Sequence, residues 1–207
     1  MTAKRVSLGV LISGRGSNLQ AVLDAIADGR VRARVAVVIS NRADAPGLER
    51  AERAGIETLV LPHRDAASRE AYDARLVQEL RARGVELVCL AGFMRKLGPA
   101  FCGAFPNAII NVHPSLLPRF PGVDAQQQAL AAGARVSGAT VHFVTPELDA
   151  GPIILQAAVP VHQADTADTL SARILAEEHR ILPEAIQLIA DGRCRVDGGR
   201  VIIAPPA

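Results

Sequence analysis

The chain has 207 residues, 49% of them apolar, which suits one domain with a sizeable core. Its 23 basic and 21 acidic side chains leave a net charge of +2, too balanced for a DNA-binding surface, and 3% aromatics with no Trp exclude a stacking platform for single-stranded nucleic acid. The three cysteines, Cys89, Cys102 and Cys194, form no CxxC pair, which argues against a disulfide framework or a thiolate zinc site and points to a reducing compartment. No apolar run is long enough to span a bilayer. The basic stretch Met1 to Arg5 leads into an apolar run that stops at Ser13-Gly14, too short for a secretory leader. The expectation is a cytoplasmic protein with no membrane and no nucleic-acid partner.

Val6 to Ile12 reads as a buried strand ending at a Gly-containing turn. Leu19, Val22, Leu23 and Ile26 then fall on one helical face, closed by Gly29. Val35 to Ile39 is a second buried strand, a helix near 46–54 ends at Gly55, and Ile56 to Leu61 is a short strand. Ser68 can cap a helix carrying Tyr72, Leu76 and Leu80, which Gly84 stops. Val85 to Leu90 and Ala108 to Val112 are further strands. Strands alternating with amphipathic helices predict an α/β fold, an open and mostly parallel Rossmann-like sheet with helices on both faces.

Past residue 120 the pattern changes. A short helix near 124–132 ends at Gly133, and Asp124 is placed to cap it. Thr140 to Val144 and Ile153 to Val161 read as strands joined by the loop Thr145 to Pro152. A long helix spans 168–190 with Pro183 as a kink, and 193–203 reads as a small C-terminal hairpin. No repeat or linker interrupts this single domain.

Two segments carry chemistry. Ser13-Gly14-Arg15-Gly16-Ser17-Asn18 joins the first strand to the first helix, where backbone N–H groups and the helix dipole suit a phosphate. The dinucleotide fingerprint would need a third glycine where Leu19 stands, and the second strand ends in Ser40-Asn41-Arg42 rather than an acidic residue. The turn therefore fits a phosphate monoester, or it merely tightens the strand–helix joint. Asn41-Arg42 could instead meet the 2′-phosphate of NADP, the reading of a reductase or nucleotide-binding module.

Asn111 and His113 stand two apart at the end of a strand, so both point to one side, at the edge where open α/β sheets place ligands. Pro114 and Pro118 stiffen the segment that follows. An amide beside an imidazole suits acyl transfer, because both can donate to the oxygen of a tetrahedral intermediate. Glu147 and Asp149, in the loop 145–152, are carboxylates that could orient the imidazole. Ala91 to Leu97 leaves another strand end and could line a pocket for a flat heterocycle. Ser115 is adjacent in sequence, but no base is placed to make it a nucleophile. No metal-ligand cluster is visible.

With SGRGSNLQA at 13–21, SREAYD at 68–73, LAGFMRKL at 90–97, NVHPSLLPRFPG at 111–122 and VHFVTPELDAGPIILQ at 141–156, the chain resembles the folate-dependent formyltransferases, in particular the phosphoribosylglycinamide formyltransferases of purine synthesis. The resemblance implies one domain over 1–207, with a phosphate-binding half near 1–100 and a folate and catalytic half near 101–207. It implies Asn111, His113 and Asp149 as the catalytic trio. Gly16, Ser17, Asn18 and Glu178 would bind the ribonucleotide. Arg69, Met94, Arg95, Lys96, Leu97, Asn111, Thr145, Pro146, Glu147, Leu148 and Asp149 would bind 10-formyltetrahydrofolate, the formyl donor and co-substrate, without a metal. The protein would work on small molecules as a monomer or homodimer. Many relatives carry His where this chain has Asp124, which puts an essential role for that position in doubt. Formyltetrahydrofolate hydrolase, which uses a similar set of residues on water, is the alternative. Its chains carry an extra N-terminal domain, and methionyl-tRNA formyltransferase adds a C-terminal one. Because this sequence starts at its first strand and ends on a hairpin, the expected acceptor is glycinamide ribonucleotide.

Overall fold

The computed structural model describes residues 5–205. Met1 to Lys4, part of the N-terminal stretch too short for a secretory leader, lie outside the described residues. Seven strands form one mostly parallel sheet in the order β3-β2-β1-β4-β5-β6-β7, and β8 and β9 form a separate two-stranded sheet. Helices surround the larger sheet, as the alternation of strand and helix predicts. The chain divides into two compact units, one ending at Ile110 and the other starting at Asn111.

In the first unit, β1 (Val6–Ile12) lies between β2 (Ala33–Ser40) and β4 (Leu87–Leu90), parallel to both, and β3 (Thr58–Val60) extends β2. β1 and β4 are buried almost throughout, as parallel strands covered on both faces must be. Helix α1 (Ser17–Ala27) buries Asn18, Leu19, Val22 and Ala25, while α2 (Gly47–Arg53) buries Leu48 and Ala51. Ser68 caps α3 (Arg69–Ala82), its hydroxyl accepting from the Ala71 N–H, and Tyr72, Leu76 and Leu80 face the core. Helix α4 (Pro99–Ala104) is not anticipated by the sequence reading. Proline at its first position starts it, and the buried Asp73 carboxylate takes the Gly98 N–H at 2.7 Å. β5 (Ile109–His113) ends one residue later than expected, so His113 is itself a strand residue.

In the second unit, β6 (Val136–Phe143) pairs antiparallel with β7 (Ile153–Pro160). β6 starts four residues before the expected Thr140, because Ser137 and Gly138 extend it rather than break it. A side chain at 138 would meet the Ala157 carbonyl oxygen at 2.0 Å, so glycine is what lets the strands close here. The short helix is α5 (Ala125–Ala131). Asp124 does occupy its cap position, but with φ 55° its side chain makes no capping bond, which corrects the expectation. Helix α6 (Ala167–Ala190) carries a capping box from Thr166 and Thr169 and continues through Pro183. β8 (Cys194–Asp197) and β9 (Arg200–Ile203) form the expected hairpin. Among the described residues no helix is long and apolar enough to cross a membrane.

Glycine positions make the packing testable. Gly138→Ala should lower stability by about 1–3 kcal/mol through overpacking. Gly103→Ala, inside α4 with open space around it, should instead gain about 0.5–1 kcal/mol from helix propensity. Urea unfolding of both variants reads the difference, and a Gly138 variant as stable as the parent would contradict this packing.

Candidate active site

Within the second unit, β5 presents Asn111 and His113 from one side of the strand, two residues apart. The imidazole of His113 is 4% exposed and lies between two acceptors. Its Nε2 is 2.8 Å from the Phe120 carbonyl oxygen, and its Nδ1 is 3.5 Å from Asp149 Oδ2. A carbonyl only accepts, so Nε2 carries a proton and donates it to Phe120, while Nδ1 faces the Asp149 carboxylate. The Phe120 carbonyl is aimed by a left-handed backbone, φ 56°, unusual for an aromatic residue and held by its surroundings.

Asp149 also sits in the left-handed region, φ 49°, which Asp tolerates better than most residues. Its Oδ2 accepts from the Gly122 N–H at 2.8 Å, and its Oδ1 lies 3.8 Å from Nε2 of His142 on β6. Gly151 sets the path of the loop carrying Asp149, because a Cβ there would lie 1.8 Å from the Phe143 carbonyl oxygen. Of the two carboxylates in this loop, Asp149 reaches the imidazole. Glu147 is exposed, as are Pro146 and Leu148, while Thr145 is partly buried and bonds the Glu147 carbonyl.

His142 is almost wholly buried. Its Nδ1 is 2.9 Å from the Phe143 carbonyl oxygen and its Nε2 is 3.3 Å from Asn111 Nδ2. A register shift between Val141 and His142 marks a bulge where a strand can re-aim a side chain. Burial lowers the His142 pKa against the opposing influence of the Phe143 carbonyl and Asp149.

The segment after His113 is fastened by side-chain hydroxyls. Ser115 Oγ donates to the Arg119 carbonyl at 2.5 Å, so this hydroxyl is committed to the loop. Thr140 Oγ1 donates to the Ser115 carbonyl and accepts from the Leu117 N–H and Gln156 Nε2. The Leu117–Pro118 peptide bond in this segment is cis. Glu178 lies buried on α6.

Within the first unit, the glycine turn leaves β1 and the 91–97 loop leaves the neighbouring β4. Gly16 has φ 70°, and a Cβ on it would lie 2.6 Å from the Gly47 Cα, so the turn packs directly on the start of α2. Arg50 Nε donates to the Arg15 carbonyl and Nη1 to Gln20 Oε1. Ser17 opens α1, whose cap residue Gly16 gives no side-chain bond and whose first turn has no acidic residue. The buried Ser13 hydroxyl accepts from the Met94 N–H at 2.8 Å and donates to Asn41 Oδ1 at 2.6 Å. Asn41 Nδ2 in turn donates to His63 Nδ1 at 3.3 Å. This chain fastens the glycine turn to the 94–97 loop. There Met94 is 71% exposed, Leu97 is buried, Arg95 lies over the Tyr72 ring, and the Lys96 carbonyl accepts from Arg69.

A family profile described as formyl transferase matches residues 6–186. A phosphoribosylglycinamide formyltransferase of Escherichia coli (strain K12) is 49% identical over 191 residues, covering 92% of this chain and 90% of its own. The chain belongs to the phosphoribosylglycinamide formyltransferase family. Members of this family are enzymes of purine biosynthesis. The crystal structure of glycinamide ribonucleotide transformylase 1 from Symbiobacterium toebii, 58% identical, superposes with a TM-score of 0.97 over 99% of this chain and 96% of that one. The trifunctional purine biosynthetic protein adenosine-3 of Drosophila pseudoobscura pseudoobscura is 49% identical over 197 residues, and the chain spans only 14% of its length.

For a formyltransferase the residues behind the NADP alternative are engaged elsewhere. Asn41 is turned inward to Ser13 and His63, and Arg42 is held by Asp44 through two hydrogen bonds of 3.0 and 2.8 Å. Other participants carried little signal. The Phe120 carbonyl and Gly122 N–H are backbone groups with no residue-type signature. Arg50 and Gly47 are distant in sequence from the turn they support. His142 did leave a trace, an imidazole in the otherwise apolar Val141-His142-Phe143. Among the described residues no three His, Cys, Asp or Glu side chains are grouped as metal ligands.

The depressed His142 pKa fixes the sign of a pH effect. Below about pH 6.5 the unfolded chain takes up a proton at this position that the native state resists, so stability falls as pH drops through that range. Urea unfolding at pH 7.5 and pH 5.5 should show a smaller loss for His142→Gln than for the parent. An equal loss would mean that His142 is not held neutral by the fold.

Proposed function

We propose that this chain transfers the formyl group of 10-formyltetrahydrofolate to the primary amine of 5-phosphoribosylglycinamide, giving formylglycinamide ribonucleotide and tetrahydrofolate in purine synthesis. The observation that carries the reading is the cluster of Asn111, His113 and Asp149, an amide and an imidazole on one strand with a carboxylate against the imidazole. The amine attacks the formyl carbon and the carbonyl oxygen gains negative charge. The Asn111 amide and the His113 Nδ1–H are the donors for that oxygen. The 3.5 Å separation from Asp149 leaves the Nδ1–H only loosely held by the carboxylate, whereas Nε2–H is committed to the Phe120 carbonyl. Asp149 takes the proton that the attacking amine releases, and that proton is delivered to the departing folate nitrogen, directly or through water. The formyl group passes straight to the amine, in keeping with Ser115 Oγ being engaged by Arg119.

Binding roles follow the same reading. The start of α1, with Gly16, Ser17 and Asn18, offers N–H groups and the positive end of the helix dipole to the phosphate. Glu178 receives ribose hydroxyls. The 94–97 loop with Arg95 and Lys96 is one folate-binding segment and Thr145 to Asp149 is another, with Met94 and Leu148 each exposed and apolar. Leu97, being buried, contributes its backbone. The basic Arg69 faces the anionic tail of the folate.

The deciding experiment incubates purified protein with 10-formyltetrahydrofolate, with and without glycinamide ribonucleotide. Turnover that requires the ribonucleotide is expected. Turnover without it would identify a hydrolase, and none under either condition would remove the catalytic reading. His113→Ala and Asp149→Asn should each lower kcat about 10²–10⁴-fold in folded protein. The double variant Ser17→Ala, Asn18→Ala should chiefly raise the ribonucleotide's KM. Near-normal turnover or an unchanged KM would withdraw the corresponding role.

A further inference from the structure

The buried His142 belongs to none of the roles above, yet it touches the amide on which the oxyanion reading depends. A carbonyl can only accept, so the 2.9 Å contact with Phe143 places the proton of a neutral His142 on Nδ1. Nε2 is then a bare acceptor, and the group 3.3 Å from it is the Asn111 amide. Only the NH2 end of that amide can satisfy it. A flipped amide would set its oxygen against the Nε2 lone pair. The same Nε2 lies 3.8 Å from Asp149 Oδ1, so the end of the amide that faces His142 also lies toward the carboxylate cluster.

We infer that His142 is a positioning residue: its neutral, Nδ1-protonated ring locks the Asn111 amide with nitrogen toward the cluster, leaving the second N–H free for the reacting oxygen. The inference rests on the formyl-transfer reading. An amide turned the other way would present an acceptor to a developing oxyanion and repel it. The titratable groups facing His142 are Asp149 and His113. Burial counters the pull of the carboxylate and keeps the ring in the form that accepts.

Substitution at Asn111 and His142, singly and together, tests this. His142→Leu removes the acceptor and should lower kcat about 10- to 100-fold with little change in either KM. His142→Gln can return an oxygen near the former Nε2 position and should recover most of that loss. In an Asn111→Ala background, His142→Leu should cost almost nothing further, because its effect passes through the missing amide. Circular dichroism and urea unfolding confirm that each variant folds. If the Leu variant does not fold, the Gln variant and the Asn111→Ala, His142→Gln pair carry the same comparison: a Gln variant near parental kcat supports the lock. Full additivity of the two losses, or a Gln variant as slow as folded Leu, overturns it. A parent protein that transfers no formyl group at all instead sinks the functional reading, a result distinct from additivity in an active parent.

Discussion

The carboxylate of Asp149 is the group on which the arrangement of the site depends. One oxygen accepts from the Gly122 backbone and faces the His113 ring, and the other faces His142, so it joins the loop after β6, the 118–122 segment and the end of β5. A carboxylate with a 10% exposed side chain needs hydrogen-bond donors, and the Gly122 N–H at 2.8 Å is one. In return it orients the imidazole whose opposite nitrogen is tied to Phe120. The backbone around it is correspondingly unusual, with Phe120, Asp124 and Asp149 all at positive φ. Backbone strain of this kind persists only where the surroundings over-determine it. Here the hydroxyls of Thr140 and Ser115 and the close approach at Gly151 supply that constraint.

The first unit shows a similar economy with different parts. A serine at the end of β1 satisfies the backbone of the loop after β4 and the amide at the end of β2. The turn that follows is pressed on α2 by two glycines and supported by Arg50. The polar ends of three neighbouring strands are thus bonded to each other, which keeps the N-terminus of α1 and the 94–97 loop in fixed registration. Donors arranged in this way need little reorganisation when a ligand arrives.

Much of this was legible in the sequence because it is written in residue types at characteristic spacing. Apolar runs followed by helical periodicity gave the parallel strands and their helices, Ser68 marked the start of α3, and the two-residue spacing of Asn111 and His113 placed both on one side of a strand. The exceptions have physical causes. Helix α4 is six residues long with an internal glycine, too short for a periodicity to show. β6 runs through Ser137 and Gly138 because the opposing strand comes too close for a side chain at 138. Asp124 looked like a helix cap, but residue type cannot foretell the left-handed φ that turns its side chain away. The carbonyl of Phe120 and the N–H of Gly122 act through the backbone and leave no mark in composition.

Hydrogen placement around one carboxylate governs the site, and side-chain nitrogen NMR of isotope-labelled protein reads it directly. Near neutral pH, His113 is expected to carry a proton on Nε2, toward the Phe120 carbonyl, and His142 a single proton, on Nδ1. A His113 bare at Nε2, or a His142 protonated on Nε2, would contradict this arrangement.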